Sequence, residues 1–104
     1  MTDMTREDAL DEMADAAREI VRPERAQMWA DAFGVGPIPE ELIRMDHIGA
    51  LPLQEEGVAV SSVSRWICLT MGLEPTRDGS AYIGHGRAAE ANTLGAVEAL
   101  RGLL

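Results

Sequence analysis

Apolar residues recur at three- and four-residue steps through the first part of the chain, at Leu10, Met13, Ala14, Ala17, Ile20 and Val21. That spacing predicts one stripe of an amphipathic helix. Asp8, Asp11, Glu12, Asp15 and Glu19 fall largely off the stripe. Thr5, with Asp8 three residues on, reads as the helix start, where a hydroxyl and a carboxylate satisfy free backbone amides. Acids crowd the first turns, as the helix dipole favours. Pro23 disfavours helical geometry at Arg22, so this helix is expected to end there.

Pro23 then suits the first position of a second helix, with Ala26, Trp29, Ala30 and Phe33 on one face and Gly34 as its stop. Met28 is out of phase with that face and is expected to be an exposed apolar contact. Residues 34–39 read as a loop, and Pro39 opens a third helix with Leu42, Ile43 and Met45, ended by Gly49 and Pro52. Residues 53–60 stand open between an extended segment and a helix entry. Ser61 is expected to cap a fourth helix running to about Met71. Val63, Trp66, Ile67, Cys68, Leu69 and Met71 wrap most of its circumference, the pattern of a central buried helix. Trp66 is therefore expected to lie largely inside. Asp78-Gly79 signals a small hairpin near residues 74–83, with an irregular loop as the alternative. A last helix is expected from about Arg87 to Leu103, with Ala91, Leu94, Val97 and Leu100 as its apolar face. The expected fold is mainly α: a compact bundle of four to five short helices in a single domain, residues 1–104.

Composition fits this picture. Of 104 residues, 46% are apolar and 26% charged, ordinary for a folded chain of one-domain length. Only four residues are aromatic, so the core must be aliphatic for the most part. The charge is less ordinary. Eighteen acids oppose nine arginines with no lysine, for a net charge of −9. Residues 1–52 hold twelve acids and five arginines, a net of −7, and residues 53–104 hold six and four, a net of −2. Such a field repels phosphate and disfavours indiscriminate binding to nucleic acid or to an anionic membrane. Met1 to Glu12 is acidic and lacks an apolar run, unlike a secretory signal, and no stretch has the length of a membrane span. Cys68 is the only cysteine, so no disulfide forms within the chain, and a cytoplasmic setting is expected. Between Ile67 and Leu69 it reads as a buried small hydrophobe whose thiol ionises reluctantly.

Residues 57–67, Gly-Val-Ala-Val-Ser-Ser-Val-Ser-Arg-Trp-Ile, carry one local resemblance. The segment resembles the turn and recognition helix of helix-turn-helix DNA-binding proteins, with residues 57–71 as the two parts. The resemblance implies that Ser61, Ser62, Ser64 and Arg65 face DNA, with Arg77 and Arg87 adding positive charge. It departs from that pattern before the turn, where Pro52 leaves little room for the preceding helix. Glu55 and Glu56 would also lie beside phosphate. Gly84-His85-Gly86-Arg87 at a helix start has the ingredients of an anion site but lacks the spacing of a phosphate-binding loop, and a hinge is the better reading. His47 and His85 have no nucleophile at hand. Cys68, His47 and His85 are too few and too scattered for a zinc site. No cofactor, metal or enzymatic activity is expected. The expectation is a small regulatory protein acting through a protein partner with a basic surface. Asp8, Asp11, Glu12, Asp15 and Glu19 of the acidic helix would meet that partner, and DNA binding is the alternative.

Overall fold

The computed structural model describes residues 4–44, 57–74 and 87–104. Its elements run α1 (Arg6–Asp15), β1 (Ile20–Val21), α2 (Pro23–Phe33), α3 (Glu40–Arg44), β2 (Val58–Ala59), α4 (Val60–Thr70) and α5 (Arg87–Arg101). The fold is mainly α, as the periodicity implies. The proposed hairpin, Arg77, both histidines and the Gly84–Gly86 hinge lie outside the described residues.

The start of α1 follows its sequence signal. The Asp8 amide donates to Thr5 Oγ1 at 3.0 Å, and the Thr5 amide to Asp8 Oδ2 at 3.5 Å, a reciprocal capping box. Its end does not. The helix stops at Asp15, seven residues short of Arg22. Two tight turns follow, closed by Ala17 N–H to Ala14 O and Glu19 N–H to Ala16 O. Ile20 and Val21 then pair antiparallel with Ala59 and Val58. Both are β-branched, stiff at χ1 and at ease in a strand. Once β2 offers its backbone edge, the strand wins over one more helical turn. Gly57 makes this approach possible, because a Cβ there would overlap Ile20 Cγ2. The Val60 amide, at the start of α4, donates to Glu19 O at 3.1 Å and fixes that helix to the same corner.

Helix α2 buries the face its spacing predicts, Ala26, Trp29, Ala30 and Phe33. Met28, expected outside, is half-buried and receives the Arg25 guanidinium on its sulfur at 3.8 Å. Gly34 and Gly72 close α2 and α4 in the left-handed conformation, each with the paired closing bonds of a Schellman end. Gln27 holds the loop after α2: its Nε2 donates to Gly36 O and its Oε1 accepts from the Ile38 amide, each at 3.0 Å.

The core lies between α1, α2, α4 and α5. Ala9, Leu10, Met13, Trp29, Phe33, Val58, Val60, Val63, Ile67, Val97 and Leu100 are among its members. Two helices are turned differently from expectation. In α4, Val60, Val63, Ser64 and Ile67 form one inward stripe, which turns Trp66, Leu69 and Thr70 to the opposite side. Trp66 is therefore only half-buried, and Leu69 is 48% exposed. The cap of α4 is the backbone of Ala59, not Ser61. In α5 the buried residues are Ala89, Thr93, Ala96, Val97 and Leu100, while Ala91 and Leu94 face outward. Thr93 is admitted because its hydroxyl donates to Ala17 O at 3.3 Å, a carbonyl freed by the early end of α1.

The tryptophans should separate under mutation. Trp29 is 1% exposed, so Trp29→Ala is expected to cost about 3–5 kcal/mol. Trp66→Ala should cost at most about half as much, since only part of that ring leaves water. Urea titration of the two variants checks the order, and equal losses would contradict this placement of the core.

Candidate functional site

The acidic helix has two different sides. Leu10 and Met13 point into the core, with Ala9 beside them, and Glu7, Asp8, Asp11 and Asp15 face solvent. Glu12 sits at the boundary, half-buried, with its carboxylate turned toward α2. Its Oε1 accepts from Trp29 Nε1 at 3.0 Å and from Arg25 Nε at 2.7 Å, and its Oε2 accepts from the other arm of the same guanidinium. Glu12 is thus a strut between α1 and α2, a role that spacing alone did not reveal. Asp8 is held by the capping box. Asp11 pairs with Arg101 at 2.6 Å across to α5. Asp15 and Glu19 are exposed and make no side-chain hydrogen bond or ion pair among the described residues. Glu7, one turn before Asp11, joins the same face.

Most arginines on this side of the protein are engaged. Arg6 lies over the Phe33 ring, 5.4 Å from its centroid, Arg18 meets Glu90 at 3.6 Å, and Arg25 holds Glu12. These exposed pairs each contribute about 1 kcal/mol at most. Their larger effect is on the surface field, because they leave Glu7, Asp15 and Glu19 uncompensated. Asp15 is also badly placed for α1 itself. It is the last helical residue, where the dipole favours a cation, and the last turn holds no basic residue.

Of the residues singled out by the DNA-binding resemblance, the three serines are buried. Ser61, Ser62 and Ser64 are 2%, 4% and 0% exposed. Ser64 Oγ donates to Ser61 O at 3.1 Å. The hydroxyls of Ser61 and Ser62, and Nε of Arg65, are buried with no hydrogen-bond partner among the described residues. Ser64 lies on the inward stripe of α4, while Ser61 and Ser62 are buried off that stripe, in the first turn of the helix. The exposure that the DNA-binding resemblance implies for the serines is not found. Arg65 is half-buried and Arg87 is exposed at the start of α5.

Cys68 is fully buried, with its Sγ 3.5 Å from Ala96 O as donor. Burial pushes its thiol up from 9.0 to about 11, the direction expected from its apolar neighbours. Among the described residues no cluster of three or more His, Cys, Asp or Glu has metal-holding geometry, and no helix is long and apolar enough to cross a membrane.

The described residues thus define a mainly α protein whose first helix presents an acidic outer face. Set against known protein families, curated proteins and solved structures, the chain matches none.

Two outcomes follow from these side chains. Ser61→Ala and Ser62→Ala should each raise stability, by about 1 kcal/mol, because each removes a desolvated hydroxyl that gains no bond. A clear loss in urea titration would show that the hydroxyls are satisfied in solution. For Cys68, the folded state holds its proton more tightly than the unfolded chain. Its contribution is complete below pH 9 and is lost as pH rises toward 11, by about 1.4 kcal/mol per pH unit. Stability measured from pH 8 to 11 should therefore fall more steeply in the wild type than in Cys68→Ala. Parallel curves would contradict the burial.

Proposed function

We propose that the protein is a non-enzymatic regulatory module that works in the cytoplasm by binding a protein partner with a basic surface. One observation carries this reading. Asp15 is kept exposed and unpaired among the described residues, at the helix end where a carboxylate is least favourable. Local rules broken without compensation inside the fold are what a site serving something outside the fold looks like. Glu7 and Glu19 add to the same negative surface, which would draw a basic partner over several ångströms and speed encounter. The single unpaired cysteine suits a reducing compartment. The burial of Ser61, Ser62 and Ser64 weighs against the DNA reading.

Stability and association should move in opposite directions in Asp15→Arg. A cation at the end of α1 is expected to stabilise the fold by about 0.3–1 kcal/mol. The same change should slow association with a basic partner isolated on the wild-type protein, and added salt should slow the wild type more than the variant. Stopped-flow or surface-plasmon rates indifferent to both salt and Asp15→Arg would remove α1 from the interface. Fluorescence anisotropy with mixed DNA duplexes at low salt gives the contrast: wild-type binding that Arg65→Ala abolishes would install DNA as the partner instead.

A further inference from the structure

Helix α4 begins with hydrogen-bond donors that the described fold does not use. Its cap residue is Ala59, whose methyl group accepts nothing from the first turn. The Val60 amide is taken by Glu19 O. The amides of Ser61 and Ser62 come next in that turn, too early for a carbonyl of the helix itself. Neither has another backbone acceptor among the described residues.

The side chains extend the same set. Ser61 and Ser62 are 2% and 4% exposed, and neither hydroxyl has a partner among the described residues. Nε of Arg65 is buried and unpaired in the same way. Ser61 and Ser62 stand four and three residues before Arg65, so the three share one face of α4. Side chains on a helix lean toward its N-terminus, which directs both hydroxyls to the end where the free amides lie. Two amides, two hydroxyls and a guanidinium N–H are thus gathered at the positive end of a helix dipole. Donors kept from water in this way cost stability until an acceptor meets them. Glu19, joined to this turn through its carbonyl, keeps its carboxylate exposed to water.

We propose that the first turn of α4 is a binding site for a small tetrahedral oxyanion, a free phosphate ion or the terminal phosphate of a small phosphomonoester. The amides and hydroxyls of Ser61 and Ser62 and Nε of Arg65 are its donors. A phosphate has several acceptor oxygens, its charge suits the helix end, and the guanidinium adds a charge-assisted bond. Burial selects for size. The phosphodiester of a nucleic acid carries a sugar on each side and does not reach hydroxyls this far from solvent, so the site is distinct from a DNA-binding role. The net charge of −9 repels anions at a distance, which leaves the affinity to these short contacts. Nothing in this site depends on the acidic face of α1.

The probe is inorganic phosphate, added to the full-length protein in phosphate-free buffer with ionic strength held constant by chloride. The backbone amide signals of Ser61 and Ser62 should shift and saturate as phosphate rises. Arg65→Gln should weaken that binding by about tenfold or more, the loss expected for one charge-assisted hydrogen bond. The double variant Ser61→Ala, Ser62→Ala guards against a folding artefact, because it is expected to be the more stable protein in phosphate-free buffer. It should lose the rise in Tm by which bound phosphate stabilises the wild type. General exclusion of phosphate from protein surfaces also raises Tm, but it acts on wild type and variants alike. Phosphoserine and a dinucleotide separate the sources. Saturable binding of phosphoserine assigns the site to a phosphomonoester, and binding of phosphate alone assigns it to the free ion. Binding of the dinucleotide that Arg65→Gln removes would overturn the proposal in favour of a polymer backbone. Equal Tm rises in wild type and both variants, or amide shifts that never saturate at Ser61 and Ser62, would also overturn it and leave the reading of the acidic helix standing.

Discussion

The burial of Trp29 depends on one carboxylate. The indole is the largest fully buried side chain, and its single donor cannot be left unpaired in a dry interior without a cost of a few kcal/mol. Glu12 supplies the acceptor from the neighbouring helix. Arg25 grips the same carboxylate with two donors, which fixes its position and offsets its charge. A residue that counts as one more acid in the composition is therefore the joint that sets α1 against α2, and the packing of Phe33, Leu10 and Met13 follows from that setting.

The second joint is the corner where β1, β2 and α4 meet. The two-residue strands are too short to be stable alone. They persist because each leads directly into a helix, β1 into α2 and β2 into α4. Gly57 lets the strands close without a clash at Ile20, and the Val60 amide finds Glu19 O. This corner fixes where α4 begins and hence its rotation about its own axis. With Val60, Val63 and Ile67 turned inward, Ser64 goes with them and Trp66 is turned half outward. Ser61 and Ser62, off that stripe, are also withdrawn from solvent in the first turn of α4. Outward-facing charges that are incompletely matched among the described residues lie on the α1 side.

Composition and spacing by themselves determined the fold class, the start of α1, the inward face of α2, the reluctant thiol of Cys68 and the excess of acid in the first half. Each is a local or additive property: a cap is set within four residues, an inward stripe within three turns, a charge balance by counting. The tertiary structure alone decided which acids are free. Asp8, Asp11, Glu12 and Asp15 look alike along the chain, yet one caps, one bridges to Arg101, one carries Trp29 and one faces solvent. Their partners lie up to 90 residues away. The structure also decided where α1 stops and how α4 and α5 are turned, because both rest on contacts between distant segments. Ile20 yields to a strand only when Ala59 is beside it. Leu94 is left outside because Thr93, one residue earlier, finds a carbonyl on the far side of the chain. Periodicity ranks the faces of a helix, but which face is buried is settled by what the neighbouring elements bring to it.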